Sequence, residues 1–214
     1  PDGEWIAYST WDGDEGHLYK TRANGRGNPI RLTEKAATYF SPAWGPGDRI
    51  VTVRGFVRSF KTQGEGGTPG SEIVWVSANP DGDTGGAARV IAPTDRRANP
   101  HFVDGVERIY LFRSPDILVS IRWDGTDEKQ HIKVRGATLT GASQGLTPTA
   151  ILMAPRGDQA LVELQRQIYS VTVPQVGTTP TINISDPDKA SFPSRKLTDI
   201  GGEFPTWEAD GRRI

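Results

Sequence analysis

One unit recurs along this chain about every fifty residues, and no other feature limits the possible folds as strongly. It consists of a short extended segment ending in a large side chain, a tight turn, and a β-branched run. It reads Pro42-Ala43-Trp44-Gly45-Pro46-Gly47-Asp48-Arg49-Ile50-Val51. It returns as Pro100-His101-Phe102-Val103-Asp104-Gly105 ahead of Arg108-Ile109-Tyr110-Leu111. A third copy is Ile151-Leu152-Met153-Ala154-Pro155-Arg156-Gly157-Asp158 ahead of Ala160-Leu161-Val162, and a fourth is Pro205-Thr206-Trp207-Glu208-Ala209-Asp210-Gly211. The first residues, Pro1-Asp2-Gly3-Glu4-Trp5-Ile6-Ala7-Tyr8, begin inside another. Aligned on Trp44, Phe102, Met153 and Trp207, the copies are 58, 51 and 54 residues apart. Periods of roughly 40–50 residues with several short strands each are those of propeller blades. Helical solenoids would need a 3.6-residue apolar period, which is missing.

Each unit divides into four strands. Strand A ends at the aligned large residue, where facing sheets must bury something bulky. In the turn that follows, Pro presets φ, Asp bonds its own backbone and Gly accepts positive φ. Strand B is expected at 5–9, 50–54, 108–112 and 160–164, and strand C at 18–21, 73–76, 117–121 and 168–171. Strand D is expected at 30–33, 89–92, 132–134 and 196–198. The endings Arg31-Leu32-Thr33 and Lys196-Leu197-Thr198 put two units in one register. The fold class is therefore all-β: a β-propeller segment of four-stranded antiparallel blades, with about four blades' worth of strands in an incomplete ring. Strands B to D of a first blade occupy 1–36. Full blades occupy 37–95, 96–146 and 147–200, and 201–214 supplies the first strand of a fifth. Two stretches, 58–71 and 177–194, read as irregular connections.

Composition removes several function classes. With 25 basic and 26 acidic residues the net charge is −1, so there is no field to attract nucleic acid or a membrane surface. No apolar run approaches the roughly 18 residues of a membrane span. Cysteine is absent, which excludes disulfides and thiolate metal sites. No Gly-x-Ser-x-Gly elbow or phosphate-cradling glycine motif occurs. Neither catalytic nor cofactor-binding residues are expected, nor a metal site. Asp12-Gly13-Asp14-Glu15-Gly16 has too few ligands for a calcium loop and reads as a hairpin turn. The residues that lead into strand A face a propeller's channel, which makes Tyr39, His101 and Glu203 the candidate ligand contacts. His17 and His131 fall at strand starts and are expected on the surface.

The segments Pro1-Asp2-Gly3 with Ile6-Ala7-Tyr8, Pro42-Ala43-Trp44, Ile168-Tyr169 and Arg31-Leu32-Thr33 resemble the WD40-like (PD40) repeats of TolB-type propellers. A narrower likeness rests on Val53-Arg54-Gly55 before a Gly-rich loop, on Trp123-Asp124-Gly125-Thr126-Asp127, and on Leu197-Thr198 followed by Gly202-Glu203-Phe204-Pro205-Thr206-Trp207. It is similar to the propeller preceding a bacterial metal-dependent amidohydrolase domain. Gly47-Asp48 reverses the family's usual Asp-Gly, and Arg156 replaces its Asp. The resemblance implies a non-catalytic scaffold or binding segment of a secreted or periplasmic protein, with adjoining blades and a downstream catalytic domain as its partners. The alternative it implies is a TolB-like propeller that binds a protein or peptide with no enzyme attached. A lyase-type propeller with a channel metal would need more than the three histidines present.

Overall fold

The structure, a computed structural model, describes residues 3–12, 15–56, 70–79, 86–141, 143, 145–175, 177–185 and 191–214. These residues contain strands, bridges and turns but no helix. Gly13 and Asp14 of the first hairpin turn, and nearly all of the 58–71 connection, lie outside them. The chain divides into two compact units, Pro1–Pro100 and His101–Ile214.

The first unit holds two blades. One is β1 (Trp5–Asp12), β2 (Glu15–Arg22) and β3 (Ile30–Arg31), in that order. The other is β4 (Thr38–Gly45), β5 (Arg49–Gly55), β6 (Glu72–Ser77) and β7 (Arg89–Pro93), also sequential and antiparallel. Leu18, Leu32, Ile50 and Val76 close a core with Trp44 against its margin.

Strand β8 (Arg97–His101), whose last residue opens the second unit, forms one edge of the third blade. That blade continues with β9 (Ile109–Arg113), β10 (Ile117–Ile121) and β11 (Lys129–Arg135). The fourth blade comprises β12 (Ala150–Met153), β13 (Gln159–Leu164), β14 (Gln167–Thr172) and β16 (Ser194–Lys196). Between β14 and β16 the chain leaves its own blade. There β15 (Thr181–Asn183) pairs in parallel with β11, as a fifth strand on the third sheet. One apolar core, including Tyr110, Ile132, Val134, Ile151, Val162 and Ile182, joins these two blades.

The strand content thus follows the four-strand repeat, and the all-β bladed fold expected from it is present. The second strand of each full blade is buried on both faces, which explains the continuous apolar runs Ile50-Val51, Ile109-Tyr110-Leu111 and Ala160-Leu161-Val162. The aligned large residues are only partly core: Met153 is buried, whereas Trp44, Phe102 and Trp207 are half-buried. Two further differences are physical. The 177–194 connection is not wholly irregular, because the alternation Thr181-Ile182-Asn183-Ile184 buries both isoleucines. The strand expected within 201–214 is absent: the segment runs through turns, anchored by the Trp207 indole N–H donating to Leu152 O at 3.2 Å. A strand needs a ladder partner, and the described residues offer it none.

The Leu-Thr endings have a mechanical role. Thr33 Oγ1 accepts from the backbone N–H of Leu18 at 3.1 Å, and Thr198 Oγ1 accepts from that of Ile168 at 3.0 Å. Each hydroxyl extends the pairing of a very short outer strand by one bond.

Candidate functional site

Strand β5 ends, and β6 begins, on either side of the long connection in the second blade. Arg54 and Glu72 stand directly opposite each other in the antiparallel register. Cross-strand neighbours of opposite charge attract, and here Arg54 Nη2 reaches Glu72 Oε2 at 2.6 Å with both side chains partly shielded. Beside them lies a cavity of about 230 Å³, lined by Lys35, Ala37, Arg54, Gly55, Phe56 and Glu72 among others. Phe56 is 62% exposed, a large ring left outside the core. Gly55 fits because it has no side chain: a Cβ there would stand 2.7 Å from Thr38 Oγ1.

Tyr39 underpins this cavity. It is buried, and its hydroxyl donates to Lys35 O at 3.0 Å. Burial raises its pKa, against the opposing pull of Arg54 and of the Thr33 hydroxyl. In the second unit, Glu203 borders a cleft at the corresponding end of the fourth blade, formed with Gln165, Arg166, Gln167 and Gly202. Arg166 Nε meets Glu203 Oε1 at 2.9 Å, and the neighbouring Ile200 and Phe204 are fully and almost fully exposed. His101 is a structural tie: its Nε2 accepts from the Met153 backbone N–H at 2.8 Å, with Tyr110 tilted against the ring. The three expected ligand contacts therefore have different surroundings. Two stand at the end of a blade where the connections leading into strands A and C lie, Tyr39 beside the Arg54–Glu72 pair and the exposed Phe56, and Glu203 paired with Arg166 next to the exposed Phe204.

The other histidines correct the expectation of surface positions. His17 is buried, with Nδ1 3.1 Å from Thr33 Oγ1. His131 is half-buried because it is the extra residue of a β-bulge: Leu118 pairs with Ile132 and Val119 with Gln130. Its Nε2 lies 2.9 Å from Ser120 Oγ, and its ring stacks on Tyr110 at 5.0 Å. Burial, then the charges of Arg108 and Lys129, push its pKa down to about 4. Ser120 is fully buried and also takes a hydrogen bond from Arg108 Nε at 2.9 Å, so this Ser–His pair has no room for a substrate. Arg108 also binds Asp127 Oδ2 at 2.9 Å, which holds that carboxyl below its usual range. Among the described residues, no three His, Asp or Glu side chains converge as metal ligands.

Sequence reading missed Arg54, Phe56, Glu72 and Arg166. Opposite charges flanking a long hairpin connection were the available signal for Arg54 and Glu72. It can be read only once the register across that connection is known.

No family model matches the chain, and no curated protein matches it significantly. Solved structures do. The putative TolB from Agrobacterium tumefaciens superposes with a TM-score of 0.57 at 13% identity, over 93% of this chain and 73% of its own. TolB from Acinetobacter baumannii gives 0.55 at 12% identity, over 94% of this chain and 42% of its own. The β-propeller domain of Myceliophteria thermophila Cps50 (Swd1) gives 0.50 at 13% identity, over 92% and 70%. The chain thus spans about three-quarters of the first and under half of the second. At such identities the likeness speaks for the fold alone, and that fold is a β-propeller similar to TolB and to WD40-type propellers.

Proposed function

We propose that this chain is a non-catalytic binding propeller that docks an extended segment of a partner protein at the end of the second blade occupied by Phe56. The observation that supports this reading is the Arg54–Glu72 pair beside an apolar cavity with Phe56 left exposed. An apolar pocket with a few fixed polar groups receives one anchoring side chain and orients it. The pair supplies a donor fork and an acceptor for the backbone on either side. This docking requires no cofactor, and the absence of strong net charge favours a peptide over nucleic acid.

The test is a selection of displayed random peptides against the chain. The expected outcome is a consensus with one apolar anchor, whose affinity falls about tenfold or more in Phe56→Ala. A second arm uses Gly55→Ala, whose added methyl would crowd the Thr38 hydroxyl and shift a lining position of the cavity. Failure to enrich any consensus, or a consensus indifferent to both variants, would overturn the proposal.

Two finer readings rest on the sequence resemblance: residence in the periplasm or outside the cell, and a metal-dependent amidohydrolase domain in the same protein. The reading frame around the chain tests both. An export signal upstream and a His-x-His motif followed by an α/β barrel downstream are expected. A stop codon soon after Ile214 would sink the second.

A further inference from the structure

At the opposite end of the first unit's blades, a cleft of about 300 Å³ opens between the first blade and the second. Trp5 and Lys20 line it from β1 and β2, and Trp44 from the end of β4. Asp48 and Asn79 complete it from the two turns of the second blade. The two turns are tied together, since the Ala78 backbone N–H donates to Asp48 O at 2.7 Å. This cleft shares no lining residue with the cavity at Phe56.

We infer that this cleft is a binding site for a neutral saccharide, one that takes a single sugar ring or the end of a short glycan. Three observations select that class. First, the Trp44 indole is only half-buried, which leaves flat apolar surface on which the C–H face of a sugar ring can lie, while the Trp5 ring, covered by Lys20 and Arg22, lines the cleft beside it. Second, the polar groups are of the kinds that bind hydroxyls: a carboxylate acceptor, an ammonium donor and a carboxamide that offers both. Third, the two charged lining residues, Lys20 and Asp48, are of opposite sign, so the lining holds no net charge to select an ionic ligand. Trp5 already carries Lys20 Nζ at 4.4 Å and the Arg22 guanidinium at 4.7 Å from its ring centre, so a cationic ligand would meet two resident cations there. An anion drawn to Lys20 would meet the exposed Asp48 in the same cleft. A neutral polyol can use both charged groups as hydrogen-bond partners with no such conflict. The volume lies at the lower end of the roughly 300–1,000 Å³ typical of small-molecule sites.

The Asp48 carboxylate can be removed without straining the backbone. Asp48 follows Gly47 in the turn, and both are left-handed, with φ of 53° and 67°. Aspartate is among the few side-chain residues that visit that conformation, and glycine takes it freely.

The experiment titrates the 214-residue chain with glucose, N-acetylglucosamine, maltose and chitobiose, following tryptophan fluorescence and saturation-transfer NMR. Galacturonate and choline serve as the anionic and cationic comparators. At least one neutral sugar is expected to bind with a Kd of roughly millimolar or tighter, and neither charged probe should match it. Asp48→Gly should weaken that binding about tenfold with the melting temperature unchanged or raised, and Trp44→Phe should weaken it further. If Trp44→Phe misfolds, Asp48→Gly still decides. No binding of any neutral sugar, preferential binding of galacturonate or choline, or binding indifferent to Asp48→Gly would each overturn the assignment.

Discussion

His131 shows how much one residue can change the conditions a fold tolerates. In the second blade the equivalent bulge position, between Ile73–Ala92 and Val74–Val90, is Ile91, a buried aliphatic. The third blade places an imidazole there and satisfies it with Ser120. Its pKa is lowered from 6.5 to about 4, so between those values the unfolded chain takes up a proton that the folded chain refuses. Stability is then complete above about pH 6.5 and falls as the pH drops through that window, by up to about 3 kcal/mol. His131→Ile should flatten this slope, which urea unfolding of both proteins at pH 7 and pH 4.5 would show. An identical difference between the two pH values in both proteins would refute the assignment. Thr33 is the second such residue. Thr33→Val leaves the buried Leu18 N–H without its acceptor, and should cost about 1–3 kcal/mol in the same measurement.

Among the elements, β15 depends most on tertiary context. Ile182 is fully buried, and its strand lies parallel to β11, with Ile182 opposite Val134. Ile182→Ala should cost about 2–5 kcal/mol. Hydrogen exchange should show the Lys133 amide, which donates to Pro180 O at 2.9 Å, losing protection first. Equal loss of protection at β9 would mean that β15 has no separate role. The contrast with the regular strands explains what could be read from sequence. Strands B and C were legible because the turn before B and the β-branched run after it are local signals: Pro46-Gly47-Asp48 ahead of Ile50-Val51 needs nothing distant. β15 was not, because Pro180 precedes it, only three residues pair, and its partner lies 48 positions earlier. Little of the cavity at Phe56 was legible. The repeat singles out Tyr39, whose hydroxyl holds Lys35 at the cavity's edge, whereas Arg54 and Glu72 meet only across a connection that hides the register. His131 was misread because a bulge turns a residue inward that simple alternation would place outside.

For the whole molecule, the division into two compact units sets the expected unfolding behaviour. Each unit has a core of its own, one around Ile50 and Val76 and the other around Ile132 and Val162. Denaturation should therefore depart from a single two-state transition, with a van't Hoff enthalpy below the calorimetric one. Coincident enthalpies would show instead that the two cores melt together. The even balance of charge predicts equally little interaction with DNA at low and moderate salt, which a fluorescence anisotropy titration would check. The strand borrowed from the fourth blade has a consequence for how the molecule is made. During synthesis the third sheet has its first four strands once Arg135 has left the ribosome, but its outer strand arrives only with Thr181–Asn183, after β12, β13 and β14. The third blade must wait for most of the fourth, so a nascent chain that stalls between them exposes an unprotected sheet edge to the cell's chaperones.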